Sequence, residues 1–196
     1  MKKIMLLLAD GFEAVEASVF TDVLGWNQLE GDGTTEVVTV GLRSPLQCTW
    51  NFSVIPEKLV SEIDLTEFDA LVIPGGFESA GFFKDAYSQE FSEIIRYFAI
   101  NQKLIGTICV AALSLGNAGV LKGRKATTYS HPTSIRLGQL ADFGAVLQPD
   151  PIVVDGNMIT SYNPGTAFEV AFLTLEKLTS RENMLKVKDL MGFNEK

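Results

Sequence analysis

Short β-rich runs alternate with helix-period segments along almost the whole chain, and this alternation restricts the fold more than any other feature. Lys3–Ala9 reads as a strand and Ala14–Leu29 as a helix with Val15, Val19, Val23 and Trp26 on one stripe. Glu36–Val40 is a second strand, and Asn51–Ile55 a third in an antiparallel or edge position. Ala70–Ile73 is a buried strand closed by Pro74-Gly75-Gly76, and Ser88–Asn101 an amphipathic helix with Phe91, Ile94, Ile95 and Phe98 inward. Lys103–Ile108 and a helix opening at Cys109 follow. Lys125–Thr128 then reads as a strand and Thr133–Leu140 as a helix. Ala145–Leu147, Ile152–Val154 and Met158–Ser161 supply late strands. Thr166–Leu178 is a helix with a Thr166/Glu169 capping box, and Arg181–Met191 a last helix ending near Gly192. Gly31-Asp32-Gly33 and Ser79–Asp85 read as surface loops. Such an order is that of a mostly parallel sheet covered by helices on both faces, an α/β fold. With 196 residues, no repeats and no linker, one domain over 1–196 is expected.

Charge and cysteine content narrow the function classes. A net charge of −8 with scattered Lys and Arg argues against nucleic-acid or anionic-membrane partners. No apolar run reaches the length of a membrane span, and Ile4–Ala9 is too short for a signal-peptide core. Cys48 and Cys109 are far apart without CxxC spacing, so a disulfide framework is not expected and a reducing cytoplasm is the simplest compartment. One histidine and two separated cysteines form no recognisable zinc-ligand cluster, and neither metal nor cofactor is expected.

Within that frame Cys109 stands out. It closes the apolar run Leu104–Ile108 and opens the small-residue stretch Val110–Gly116, so it sits at a sharp strand-to-helix turn on the carboxyl edge of the sheet. Thr107 and Ala111 permit that turn, although neither is the glycine of the hydrolase elbow. The following helix aims N–H groups at the sulfur, which favours thiolate. Three features converge on it. Glu13 and Glu16, after the first strand, share a helix face; Glu16, flanked by Val15, Ala17 and Val19, points inward as a protonated acid able to donate to a thiolate or oxidised sulfur. Gly75 and Gly76 offer backbone N–H groups to an oxyanion. His131 is the sole histidine and the usual type of base beside a nucleophilic cysteine. Cys48 is expected near a strand edge or an interface and not as the nucleophile; Trp26 and Trp50 are expected in the core or an interface.

DGFEAVEA, VIPGGFE, IGTICVAA and SYNPGTAFE, in that order, together with VVTVGLRSPLQCTWNFSV, resemble the ThiJ/PfpI family in its parkinsonism-associated, deglycase-like branch. The resemblance implies a flavodoxin-like three-layer sandwich, usually a homodimer, without cofactor. It maps the nucleophile to Cys109 in a disfavoured backbone conformation, the protonated acid to Glu16, and oxyanion donors to the backbone of Gly75, Gly76 and Val110. Val110 stands where the protease branch of the family has histidine, which argues against a protease-type pair. Relatives carry a His-Pro after a strand resembling Lys125–Thr128; here Tyr129-Ser130 intervene, leaving His131 or Tyr129 to face the thiol, with His131 preferred. Trp26, Trp50 and Tyr162 align with pocket arginines of some relatives, which implies an aromatic pocket better suited to neutral carbonyls than to anions. The leading expectation is therefore chemistry on small reactive carbonyls through a Cys109 hemithioacetal. Redox sensing by Cys109, a cysteine hydrolase or amidase, and a noncatalytic binding module are the alternatives.

Overall fold

The structure is a computed structural model that describes residues 1–193. Inside its sheet lies strand β1 (Lys2–Leu8), whose Ile4–Leu8 run is buried on both faces as an all-apolar parallel strand requires. In chain order the other strands are β2 (Thr35–Gly41), β3 (Leu46–Gln47), β4 (Ser53–Val54), β5 (Lys58–Leu59), β6 (Ala70–Ile73), β7 (Leu104–Thr107), β8 (Lys125–Ala126), β9 (Val146–Leu147), β10 (Ile152–Asp155) and β11 (Met158–Ser161). Seven of them form one sheet in the order β10-β11-β7-β6-β1-β2-β5, parallel throughout except for the β10–β11 pair. The helices are α1 (Ala14–Glu30), α2 (Phe82–Ala86), α3 (Gln89–Ile100), α4 (Ala112–Asn117), α5 (Arg136–Asp142), α6 (Ala167–Leu178) and α7 (Arg181–Leu190). α1, α6 and α7 pack together on one face, and α3 with α4 covers the other. This is the flavodoxin-like sandwich. After β1 the chain turns one way to β2, while β6 and β7 build the sheet the other way. The carboxyl ends of β1, β6 and β7 therefore meet at the crevice where open α/β sheets place their sites.

Several local expectations are revised. β8 and β9 pair with each other outside the main sheet, whereas β4, within Asn51–Ile55, pairs antiparallel with β3 as expected. β5 and α2 arise where the sequence read as loop: Phe82 and Asp85 are buried, because Asp85 is drawn inward by an arginine partner described below. Thr166 does not cap α6. The turn Pro164–Thr166 leaves it helical, its hydroxyl donates back to the Asn163 carbonyl at 2.7 Å, and Glu169 pairs instead with Lys188. α1 buries Val19 and Val23 but leaves Val15 and Trp26 at 45% and 41% exposed, so the apolar stripe is wider than the face α1 buries. Trp50 is likewise exposed rather than core. Ser88 and Ser180 cap α3 and α7 as their side chains allow, accepting from the Phe91 and Asn183 N–H groups. Asn183 also ties α7 to α1 through a 2.6 Å bond to Asn27 Oδ1.

Candidate active site

The chain leaves β7 through Ile108 and reverses at Cys109 with φ of +56°, a left-handed conformation that a side chain pays for. The turn is held on both sides. Ile108 N–H donates to the Ile73 carbonyl at 3.3 Å, and the buried Thr128 hydroxyl donates to the Cys109 carbonyl at 2.9 Å. Cys109–Ala111 form one tight 3₁₀ turn before α4 begins, and the side chain sits 6% exposed at the edge of a pocket.

Glu16, in the first turn of α1, is fully buried. Its Oε2 accepts from the Gly75 N–H at 2.6 Å. A Cβ on Gly75 would stand 2.9 Å from Glu16 Oε2 and 3.0 Å from Cys109 Cβ, so the missing side chain is what lets carboxyl and thiol converge on one point. Gly11, at φ +76°, and the Phe12–Gly76 bridge hold the β1 and β6 loops together. Glu16 Oε1 is the buried side-chain polar atom with no well-aligned protein partner among the described residues. Burial pushes the Glu16 carboxyl up to about 8, with the neighbouring Glu13 charge acting in the same sense and the Gly75 N–H opposing. Burial also raises the Cys109 thiol, and an ionised Glu16 raises it further; the Val110 N–H works the other way. This reverses the sequence expectation of a thiolate favoured by a helix end, because one amide of a short turn does not offset desolvation. Ionisation of either group disfavours ionisation of the other, so the pair carries at most one negative charge.

A pocket of about 360 Å³ opens beside the sulfur, lined in part by Gly76, Val110, Phe77, Tyr129 and Arg136. It revises three expectations. Gly75 is not available to an oxyanion, because its N–H is committed to Glu16; Gly76 and Val110 line the pocket, and their N–H groups donate to no backbone carbonyl or side-chain oxygen among the described residues, the Val110 N–H lying against the Cys109 sulfur. His131 is exposed, with Nδ1 2.9 Å from Thr133 Oγ1, and does not line the pocket; Tyr129 does. Two extra residues let the loop carry the imidazole outward. Trp26 and Tyr162 lie outside the lining, and Trp50 reaches it only through its edge-on contact with Phe77, ring centroids 5.3 Å apart. Beside the rings of Phe77 and Tyr129 the pocket wall carries a guanidinium, that of Arg136.

Sequence reading missed a second shell of charge. Arg43 grips Asp85 with two 2.6 Å bonds, Asp85 accepts from the Asp10 N–H at 2.8 Å, and Asp10 accepts from the Gln47 N–H at 2.7 Å. This network fixes the loop at Asp10, ahead of α1, onto α2 and the β3 ribbon. An aspartate among Phe82, Phe83 and Ala86 was the available signal. Cys48 is buried beside β3, its sulfur accepting from the Trp50 N–H at 3.4 Å. Among the described residues no group of three or more His, Cys, Asp or Glu is placed to hold a metal, and no helix is long and apolar enough to cross a membrane.

Known proteins match this arrangement. The chain is 28% identical to the protein dj-1beta of Drosophila melanogaster over 95% of its own length and 94% of that protein. The crystal structure of Drosophila DJ-1beta superposes with a TM-score of 0.85 over 97% of both chains. A protein of Pyrococcus furiosus named deglycase PfpI is 31% identical over 85% of this chain and 93% of that one. The model of the DJ-1/PfpI family matches residues 2–177. The chain, with its strained cysteine beside a buried glutamate, belongs to the DJ-1/PfpI family.

Proposed function

We propose that the protein is a cofactor-independent enzyme acting on small 2-oxoaldehydes such as methylglyoxal, with Cys109 as nucleophile. The observation that carries this reading is the pairing of a left-handed Cys109 at a pocket mouth with a fully buried Glu16, whose carboxyl is pushed by burial up to about 8. Deglycase-like or stress-protective function is supported at family level by relatives named deglycases. In the proposed sequence the Cys109 thiol first loses its proton to solvent while Glu16 stays protonated; the thiolate adds to the aldehyde carbon, and the Gly76 and Val110 N–H groups hold the oxyanion. The oxyanion takes the Glu16 proton, giving a hemithioacetal and a carboxylate. That carboxylate removes the C–H proton and returns it to the adjacent carbon through an enediol, leaving a thioester of a 2-hydroxy acid. Water hydrolyses the thioester, releasing the acid and restoring the thiol. Tyr129, not His131, borders this reaction space. NMR-followed conversion of methylglyoxal without glutathione tests the reading: lactate is expected from wild type and not from Cys109→Ala. No lactate from folded, reduced wild type, or undiminished turnover by Cys109→Ala, overturns it.

The unpartnered Glu16 Oε1 favours a second reading. A protonated carboxyl whose neighbour is the weakly accepting Cys109 sulfur would be better satisfied by an oxygen added there, so peroxide would convert the thiol selectively to sulfinate. Intact mass after peroxide should show two added oxygens at Cys109, fewer in Glu16→Ala; indifference to peroxide refutes it.

A further inference from the structure

The pocket beside Cys109 contains one cation, and its neighbours hold it in an unusual way. Arg136, the first residue of α5, is 16% exposed in its side chain. Its guanidinium lies over the Phe83 ring at 4.9 Å and donates through Nη1 to Gln139 Oε1 at 2.9 Å and through Nη2 to Glu78 Oε2 at 2.6 Å. The partner carboxylate is different. Glu78 is 67% exposed in its side chain, and Arg136 is its sole ion-pair partner among the described residues. The arginine is therefore fixed by a ring, an amide and packing, while its counter-ion is a solvated side chain free to swing away. Ion pairs with so exposed a partner are worth about 0–1 kcal/mol. A planar guanidinium has five N–H donors, of which two are used here, and the one given to Glu78 becomes available to another carboxylate when Glu78 swings away.

Resting on the carbonyl reading of Cys109, we infer that Arg136 anchors a carboxylate carried by the substrate, with Glu78 a displaceable stand-in for it. The favoured substrates are 2-oxoaldehydes with a carboxylate tail rather than neutral ones, contrary to the aromatic pocket expected from Trp26, Trp50 and Tyr162. Arg136 and Cys109 border the same pocket of about 360 Å³, so one short molecule spans both. The chemistry at the sulfur is unchanged. The dicarbonyl end gains one water and becomes a 2-hydroxy acid by internal proton transfer, and the tail carboxylate forms and breaks no bond. Glu78 disfavours anions while it occupies the fork, so its removal should help an anionic substrate and leave a neutral one without that gain. A purely structural pair joining Glu78 to α5 makes no such distinction.

The test compares 4,5-dioxopentanoate with its neutral amide in wild type, Glu78→Gln, Arg136→Gln and Arg136→Lys. The expected readout is the ratio of kcat/KM for the acid over the amide. It should exceed unity in wild type, rise several-fold in Glu78→Gln, and fall about 10- to 100-fold in Arg136→Gln, the worth of a charge-assisted hydrogen bond. Arg136→Lys, which keeps the charge but not the fork, should recover part of the ratio. A ratio that Arg136→Gln leaves within about threefold of wild type, or an Arg136→Gln loss equal for acid and amide, overturns the inference. A second measurement does not depend on turnover: protection of Cys109 from iodoacetamide by pentanoate and by pentanamide. Protection by pentanoate that is lost in Arg136→Gln, in a protein that converts neither dicarbonyl, refutes the carbonyl reading and keeps the anion site. Equal protection by pentanoate and pentanamide refutes the anion site, whatever the turnover.

Discussion

Replacing Glu16 by Gln should reverse the sign of its effect on stability within the pH range of ordinary experiments. Folding moves the Glu16 carboxyl from 4.5 to about 8, so the folded protein holds this proton more tightly than the unfolded chain. The stability that belongs to the neutral acid is then complete below pH 4.5 and drains away as pH rises through about 8. At about 1.4 kcal/mol per unit, wild type loses on the order of 3–5 kcal/mol across that window relative to a side chain that cannot ionise. Gln keeps an oxygen to accept the Gly75 N–H, but its amide nitrogen takes the place of Oε1, which has no aligned partner. Leaving that donor unsatisfied should cost the variant about 1–3 kcal/mol at every pH. Wild type is therefore expected to be the more stable protein at pH 5 and the less stable at pH 8.5. Glu13, whose carboxyl is also raised by burial, is present in both proteins, so the difference between their curves belongs to Glu16. Urea unfolding of both at one protein concentration, with Cys109 reduced, reads the effect directly. A stability difference constant within about 1 kcal/mol from pH 5 to 8.5 would show that Glu16 is not a buried acid neutral at rest, and the mechanism built on its proton would go with it.

Three further substitutions probe the geometry. At φ +56°, Cys109→Gly should be more stable than Cys109→Ala by about 0.5–1 kcal/mol in thermal or urea melts, and the opposite order would refute the strain assigned to that turn. Gly75→Ala sets a methyl 2.9 Å from both Glu16 Oε2 and the Ile108 carbonyl, and should destabilise by about 1–3 kcal/mol while changing the rate of Cys109 alkylation; wild-type melting and alkylation would contradict the close approach. Arg43→Met strands Asp85, which is 3% exposed, and should lower stability by about 1–3 kcal/mol after allowance for the half-exposed guanidinium; a neutral result would mean that Asp85 reaches water.

What sequence disclosed and what it hid divide along a physical line. β1, β6, β7 and the helices between them are written in burial periodicity, which depends on near neighbours, so Ile4–Leu8 and Phe91–Phe98 were legible. The convergence of Cys109, Glu16 and Gly75 was legible for a related reason: each ends a strand or starts a helix, and topology brings such points to one edge. Direction was not legible. Which way the loop after β8 throws His131 depends on Thr127 and Thr128 being fastened to Thr160 and to the Cys109 carbonyl, bonds between residues about 20 to 30 positions apart that no local pattern announces. Asp85 and Arg136 were missed for the same cause. A charged residue in a short apolar segment resembles a surface loop until its partner, 42 residues away at Arg43 or 58 away at Glu78, is known.

Burial of Glu16 and Cys109 side by side is a poor arrangement for stability and a useful one for chemistry. Two groups that resist ionisation in the same dry volume carry at most one charge between them, so whichever gives up a proton makes the other keep its own. Under the proposed mechanism a Cys109 thiolate would coexist only with a protonated Glu16, which is the state its addition step requires. Solvent exposure would uncouple them, giving a more acidic Glu16 and a thiol no longer matched to a neighbouring proton. The strain at Cys109 and the absent side chain at Gly75 serve that coupling, since either a right-handed turn or a Cβ would separate sulfur from carboxyl. The position of Gly75 between them also explains why it makes a poor oxyanion donor. An amide that holds the acid in place has its hydrogen committed, so the proposed mechanism assigns the oxyanion to Gly76 and Val110 instead.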